Sequence, residues 1–278
     1  MITIENLTFW YSKQNRIFED LNLELDAGHI YGLLGKNGAG KTTFLKLICG
    51  LSFPKSGEII IDGLIPQKRK PVFLSDIFFV PEEISFPSMT AVKFVKIYGG
   101  FYPAFDPSLF RGFLEKFEVD PDQNFSGMSH GQKKKAMIAF ALATNTRYLF
   151  LDEPTYGLDI PSKAAFRSML SASFSGEKTI IMSTHMVRDL ESLIDNVIIL
   201  ENHKIILNQS LDKVAQKFTF CHSLLSPSSG EIFYSVNSEM GQTVISLNHS
   251  GIAGNVDLET LFNACIDIPE KISSIFEN

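Results

Sequence analysis

Apolar and polar positions fall into three regimes along the chain. Near the N-terminus they alternate: Ile2 and Ile4 are set against Thr3 and Glu5. A period of two lines one face of a sheet, so 2–9 reads as an edge strand and 21–25 as a half-buried one. The short apolar run 30–34 is consistent with a buried parallel strand. Residues 41–49 then take helical spacing, with Phe44, Leu45, Leu47 and Ile48 apolar and Gly50 where a helix C-cap belongs. Residues 56–63 read as turn, strand, turn. From about 86 to 144 helical patterns take over, predicting helices at 90–98, 107–118 and 132–144. Two more apolar strands, 148–151 and 179–182, flank a helix near 161–173, and 197–200 with 204–207 reads as a hairpin. Residues 211–278 are rich in Ser, Asn and Gly, with candidate strands at 231–236 and 243–247 and a helix near 257–265. The sum is an α/β core with a helical insertion and a small C-terminal extension.

Composition narrows the class. Of 278 residues, 45% are hydrophobic and 20% charged, which excludes global disorder. Lys and Arg number 25 against 31 Asp and Glu, a net charge of −6. That balance disfavours a nucleic-acid partner bound by broad phosphate neutralisation, while leaving room for one local cationic pocket. No apolar stretch reaches the roughly 20 residues of a membrane span; the uncharged run 241–256 is broken by polar residues and glycines. Residues 1–5 lack a basic region leading into an apolar one, so no secretory signal is expected. The cysteines Cys49, Cys221 and Cys265 have neither zinc spacing nor the pattern of a disulfide framework, and a reducing cytosol is expected. The 24 Phe are a surplus that composition leaves divided between core and partner surface.

Two segments carry chemistry. Gly35-Lys36-Asn37-Gly38-Ala39-Gly40-Lys41-Thr42 matches G-x-x-x-x-G-K-[ST] between a strand pattern and a helix pattern. Glycines there let successive N–H groups curl toward phosphate oxygens, and the helix N-terminus adds a positive dipole end. Lys41 is the cation for the β- and γ-phosphates and Thr42 a Mg²⁺ ligand. Further on, an apolar strand ends in Asp152-Glu153, placing two acids at the carboxyl edge of a sheet. Asp152 is expected in the Mg²⁺ shell and Glu153 on the attacking water.

Other segments fall into a recognisable order, and over residues 1–207 the chain resembles the ATP-binding subunits of ABC transporters. Met128-Ser129-His130-Gly131-Gln132 resembles the signature usually written LSGGQ, 156–159 resembles the D-loop, Ser183-Thr184-His185 the switch histidine, and Tyr11 sits at the adenine-stacking position. The resemblance implies a P-loop NTPase core (RecA-like) with an antiparallel β subdomain, a helical insertion at about 86–144 and a small α+β extension at 208–278. It implies a cofactor set of ATP and Mg²⁺. Nucleotide contacts would come from Tyr11, Gly35, Asn37, Gly38, Ala39, Gly40, Lys41, Thr42 and Thr43. A second subunit, homo- or heteromeric, would close the site head-to-tail through Ser129, Gly131, Gln132 and Asp159. Glu153 and His185 would be catalytic, and Thr42, Asp152 and Glu82 would serve the metal.

The partners implied are that second ATPase subunit and a separate membrane-spanning chain, with no nucleic acid, at the cytoplasmic face of a membrane. Two departures stand out: Glu82 occupies a position where the family usually has Gln, and His130 replaces a signature Gly. Glu82 and the segment 98–103 resemble bacterial exporters whose membrane subunit is a separate chain. Lys133, Lys134 and Lys135 read either as a solvated basic turn or as a cationic rim facing phosphate across the dimer. A soluble ABC-type ATPase working on nucleic acid or ribosomes, or a non-hydrolysing nucleotide-binding regulator, are the alternatives.

Overall fold

The computed structural model describes residues 1–223, 232–238, 241–249 and 253–276. Along the chain come β1 (Ile2–Ser12), β2 (Asn15–Leu25), β3 (Ile30–Leu34), α1 (Lys41–Ile48), β4 (Ser56–Ile61), α2 (Pro71–Leu74) and β5 (Ile77–Val80). Next are α3 (Ala91–Tyr98), α4 (Pro107–Lys116), α5 (His130–Ala143), β6 (Tyr148–Asp152), α6 (Ile160–Ser173) and β7 (Thr179–Thr184). Then follow β8 (Asn196–Glu201), β9 (Lys204–Ser210), α7 (Leu211–Lys217), β10 (Phe218–Ser223), β11 (Ile232–Ser238), β12 (Gly241–Leu247), α8 (Leu258–Asp267) and α9 (Pro269–Phe276). The chain forms two compact units, residues 1–30 with 40–184, and residues 31–39 with 185–278.

In the first unit the N-terminal alternation forms an antiparallel sheet in the order β2-β1-β4. The edge-strand expectation for β1 is corrected: it is the middle strand, with Ile2 opposite Leu25 on one side and Ile61 on the other. Alternation reports that one face is buried, through Ile2, Ile4, Leu7 and Phe9, and is silent on how many edges are paired. Strands β5, β6 and β7 pair in parallel, with Val80 beside Leu151 and Asp152 beside Ser183. They read as unbroken apolar runs because both faces of a parallel sheet are covered.

The helical stretch starts where short polar side chains cap it. Thr90 accepts from the Lys93 N–H at the head of α3, and Asp106 accepts from Ser108 and Leu109 at the head of α4, where Pro107 has no N–H to satisfy. Most of the Phe surplus in this stretch is core. Phe140 is 1% exposed, and the rings of Phe94, Phe105, Phe78, Tyr102 and Phe110 lie 5.0, 5.2, 5.5, 6.0 and 6.1 Å from its centroid. Phe86 stacks on Phe125 at 3.8 Å. Phe101 is the exception, 65% exposed.

In the second unit β3 pairs in parallel with β8, and β8 runs antiparallel to β9. The extension forms a β10-β12-β11 antiparallel sheet with a core that includes Phe218, Val244, Ile245, Leu258 and Leu261. The expected strand at 231–236 is β11, apart from residue 231, which lies outside the described residues. The helix expected near 257–265 is α8, and it is followed by α9, which buries Ile272; the short apolar pattern of α9 gave no separate helical signal. Among the described residues no helix is long and apolar enough to cross a membrane.

Truncating the hub of the aromatic cluster, Phe140→Ala, is expected to destabilise the fold by about 3–5 kcal/mol. A shift in the urea unfolding midpoint measures it, and a shift worth under 1 kcal/mol counts against the cluster as the organiser of this core.

Candidate nucleotide-phosphate site

The site in the first unit is built on the carboxyl end of β6. Gly40, at φ 112°, precedes α1 and leaves its first N–H groups unblocked; its carbonyl accepts from Phe44 N at 2.8 Å. A side chain at position 40 would meet the Phe18 ring at 3.1 Å, so this conformation and this space both call for glycine. Lys41 follows and is buried, with Nζ 3.7 Å from Glu153 Oε1. Burial pushes the Lys41 ammonium below the usual lysine range, and the charges of Glu153 and Asp152 partly offset that.

Asp152 is 1% exposed, and each of its oxygens accepts from a hydroxyl. Thr42 Oγ1 donates to Oδ2 at 2.7 Å, and Ser183 Oγ donates to Oδ1 at 2.5 Å. Ser183 Oγ also accepts from the Glu153 N–H at 3.1 Å. Glu153 has φ 47°, a left-handed conformation uncommon outside glycine, and its Oε2 accepts from Thr184 Oγ1 at 3.1 Å. A buried carboxylate loses several kcal/mol of hydration, and these hydroxyls replace part of what water would supply. Tyr11 is exposed beside this array: its OH lies 3.2 Å from Thr43 Oγ1 and its ring sits edge-on to Phe9. Glu82 is exposed and acts electrostatically on both Lys41 and Lys134.

The outer part of the phosphate loop, Gly35 to Ala39, belongs to the second unit. There a Cβ at Gly35 would lie 2.3 Å from the Leu200 carbonyl oxygen, a close approach that excludes any side chain. Ala39 N donates to Lys36 O at 3.1 Å, and His203 Nδ1 is 3.1 Å from Ala39 O. Asn37 is exposed, and Gly38 has φ 83° with open space around it. His185 opens the second unit's longer segment. It is exposed and lines a cavity of about 300 Å³ with Arg188, Glu259 and Phe262.

The signature residues sit at the head of α5 in a capping box. Ser129 Oγ accepts from Gln132 N at 3.2 Å, and Gln132 Oε1 accepts from Ser129 N at 2.9 Å. His130 is exposed and Gly131 half-buried. Asp159 caps α6, accepting from Ser162 N at 2.8 Å, and lies 3.8 Å from Lys135 Nζ. The three successive lysines do not form one rim. Lys134 turns inward, 0% exposed, and donates to the main-chain carbonyls of Glu153 and Tyr156. Its neighbours in register, Ile138 and Ala141, lie on the buried stripe of α5, so helical spacing carried a signal that the charge run concealed. Ser183 and Thr184 are functional residues of the same kind: the sequence marks them only as the approach to His185, and pairing of β6 with β7 brings them onto the acids.

The donor set suits a divalent cation that keeps waters and substrate oxygens among its ligands. One hydroxyl, Thr42, and one carboxylate, Asp152, stand together, and no larger His/Cys/Asp/Glu group that could hold a metal exists among the described residues.

A lysine and a hydroxyl on the first turn of a glycine-led helix, set against paired acids at a strand end, define a nucleoside-triphosphate site of the P-loop class. The model of the family described as ABC transporter matches residues 18–156. The zinc transport system ATP-binding protein AdcC of Streptococcus pneumoniae is 32% identical over 212 residues, covering 70% of this chain and 87% of that protein. The Nod factor export ATP-binding protein I of Rhizobium meliloti is 31% identical over 198 residues, covering 68% of this chain and 58% of that protein. A solved ATP-binding subunit of an ABC transporter shares the fold with TM-score 0.69 at 24% identity, over 77% of this chain and 91% of that one. The chain belongs to the ABC transporter family, as an ATP-binding subunit whose ATPase activity powers transport. Subunits of this family pair with membrane subunits and dimerise.

Ser183→Ala removes the donor to Asp152 Oδ1 and is expected to cost about 1–3 kcal/mol of stability. Chemical denaturation measures it, and an unchanged midpoint would remove Ser183 from the support of Asp152.

Proposed function

We propose that this chain hydrolyses MgATP at the Lys41–Asp152–Glu153 site and drives an exporter whose membrane subunit is a separate chain. The observation that carries the proposal is the buried cluster in which Lys41 Nζ lies 3.7 Å from Glu153 Oε1 and Thr42 donates to Asp152. The loop from Gly35 to Thr43 cradles the phosphates through main-chain N–H groups. Lys41 pairs with the β- and γ-phosphates, and Tyr11 stacks on adenine. Thr42 and Asp152 would hold Mg²⁺, with Glu82 as a further carboxylate serving it, and the ion would supply charge neutralisation for the transferred phosphoryl group. Glu153 takes a proton from water as the water oxygen attacks the γ-phosphorus and ADP leaves. His185 contacts the γ-phosphate.

A second ATPase subunit, the same chain or another, closes the site head-to-tail with Ser129, Gly131, Gln132 and Asp159. Residues 1–207 form the ATPase domain and 208–278 an extension to it. The membrane subunit docks on the helical insertion. An apolar cavity of about 790 Å³ there, lined by Leu51, Val72, Phe78, Tyr98, Phe101 and Tyr102, fits an amphipathic helix with aromatic anchors. Export is supported by Glu82, by the 98–103 segment and by the likeness to a Nod factor export protein. The chain then works at the cytoplasmic face of a membrane, and its net charge of −6 disfavours a nucleic-acid partner bound by broad phosphate neutralisation.

Glu153→Gln is expected to retain ATP binding and lose about 10²–10⁴-fold in turnover; a phosphate-release assay at saturating MgATP reads it, and wild-type turnover would sink the base role. Tyr11→Ala is expected to weaken ATP binding by about 1–3 kcal/mol. Calorimetric titration measures it, and an unchanged affinity returns Tyr11 to a packing role.

A further inference from the structure

Lys134 is a buried cation that makes no ion pair among the described residues. Its Nζ donates instead to two main-chain carbonyls, Glu153 O at 2.5 Å and Tyr156 O at 3.1 Å, and lies 5.9 Å from the Tyr156 ring centroid. Those carbonyls begin and end one tight turn, closed by Tyr156 N donating to Glu153 O at 3.2 Å. The residue that opens this turn, Glu153, is held at φ 47°. A lysine side chain 0% exposed is expensive to desolvate, and an apolar residue would fill the same space without that cost. What an apolar residue lacks is a group that can clasp both ends of the turn. The clasp originates on α5, within two residues of the capped signature segment that ends at Gln132.

From this geometry we infer that Lys134 is a positioning residue for hydrolysis: by holding the Glu153 and Tyr156 carbonyls it fixes the backbone that aims the Glu153 carboxylate. The inference rests on Glu153 as the base. It assigns Lys134 no contact with nucleotide, so its loss acts on turnover and leaves binding alone. It also rests on the donor N–H groups rather than on charge, because both acceptors are neutral carbonyls.

The test compares Lys134→Met, which keeps length without a donor, with Lys134→Gln, which keeps an uncharged donor on a shorter stem. The readouts are steady-state turnover at saturating MgATP, ATP dissociation constant and melting temperature, with Glu153→Gln run alongside. Lys134→Met is expected to lose about tenfold to a hundredfold in turnover, the scale of a small misplacement of a catalytic group. Its ATP affinity should stay within about threefold of wild type. Lys134→Gln is expected to fall between the two, since it can satisfy one carbonyl and not both. Wild-type turnover in either variant, an affinity loss that matches the turnover loss, or a glutamine variant no better than methionine overturns the inference. If the methionine variant does not fold, the glutamine variant decides: reduced turnover with retained affinity supports the role, and wild-type turnover refutes it. An active Glu153→Gln would instead remove the base role itself, whatever Lys134 does.

Discussion

The carboxylate of Asp152 has almost no access to water, and much of the first unit is arranged around supplying what water would have given. One oxygen takes the Thr42 hydroxyl and the other the Ser183 hydroxyl. Those two donors come from α1 and β7, so a single buried anion ties the phosphate-loop helix to two parallel strands. The cost of leaving such a group unpaired is several kcal/mol, comparable to a large share of a domain's net stability. Placement of Thr42 is therefore tied to folding itself.

Glu153, one residue later, is held differently. Its N–H goes to Ser183, its carboxylate faces Thr184 and Lys41, and its carbonyl takes both the turn N–H and the Lys134 ammonium. Its polar atoms take partners from β7, α1, α5 and the turn that follows, which is how a left-handed backbone conformation at a non-glycine residue is sustained. Lys41 balances the Glu153 charge. In the function proposed above, a phosphate above α1 would offer the same ammonium a more highly charged partner, which would link nucleotide binding to release of the carboxylate.

The aromatic surplus has a similar division. Rings gathered about Phe140 knit α3, α4 and α5 into one core, while Phe101 and Tyr98 stay at the surface beside an apolar cavity. Phe residues spaced along several helices look alike in sequence, because composition and periodicity report burial of a face and not which ring ends at its margin.

Local chemistry was legible in the sequence alone. The phosphate loop needs contiguous residues between a strand and a helix, and the acids need only the end of an apolar strand. Those features follow from short-range spacing, and the resemblance to the family rested on the order of the quoted motifs. What depends on which strands lie side by side was not legible. The pairing of β6 with β7 sets Ser183 and Thr184 on the two acids, both edges of β1 are paired, and the packing of α5 carries Lys134 away from its basic neighbours to the carbonyls of Glu153 and Tyr156. A charge written three times in succession has one appearance in sequence, but a helix rotates each successive residue by about 100°, and only the packed structure decides which of the three faces inward.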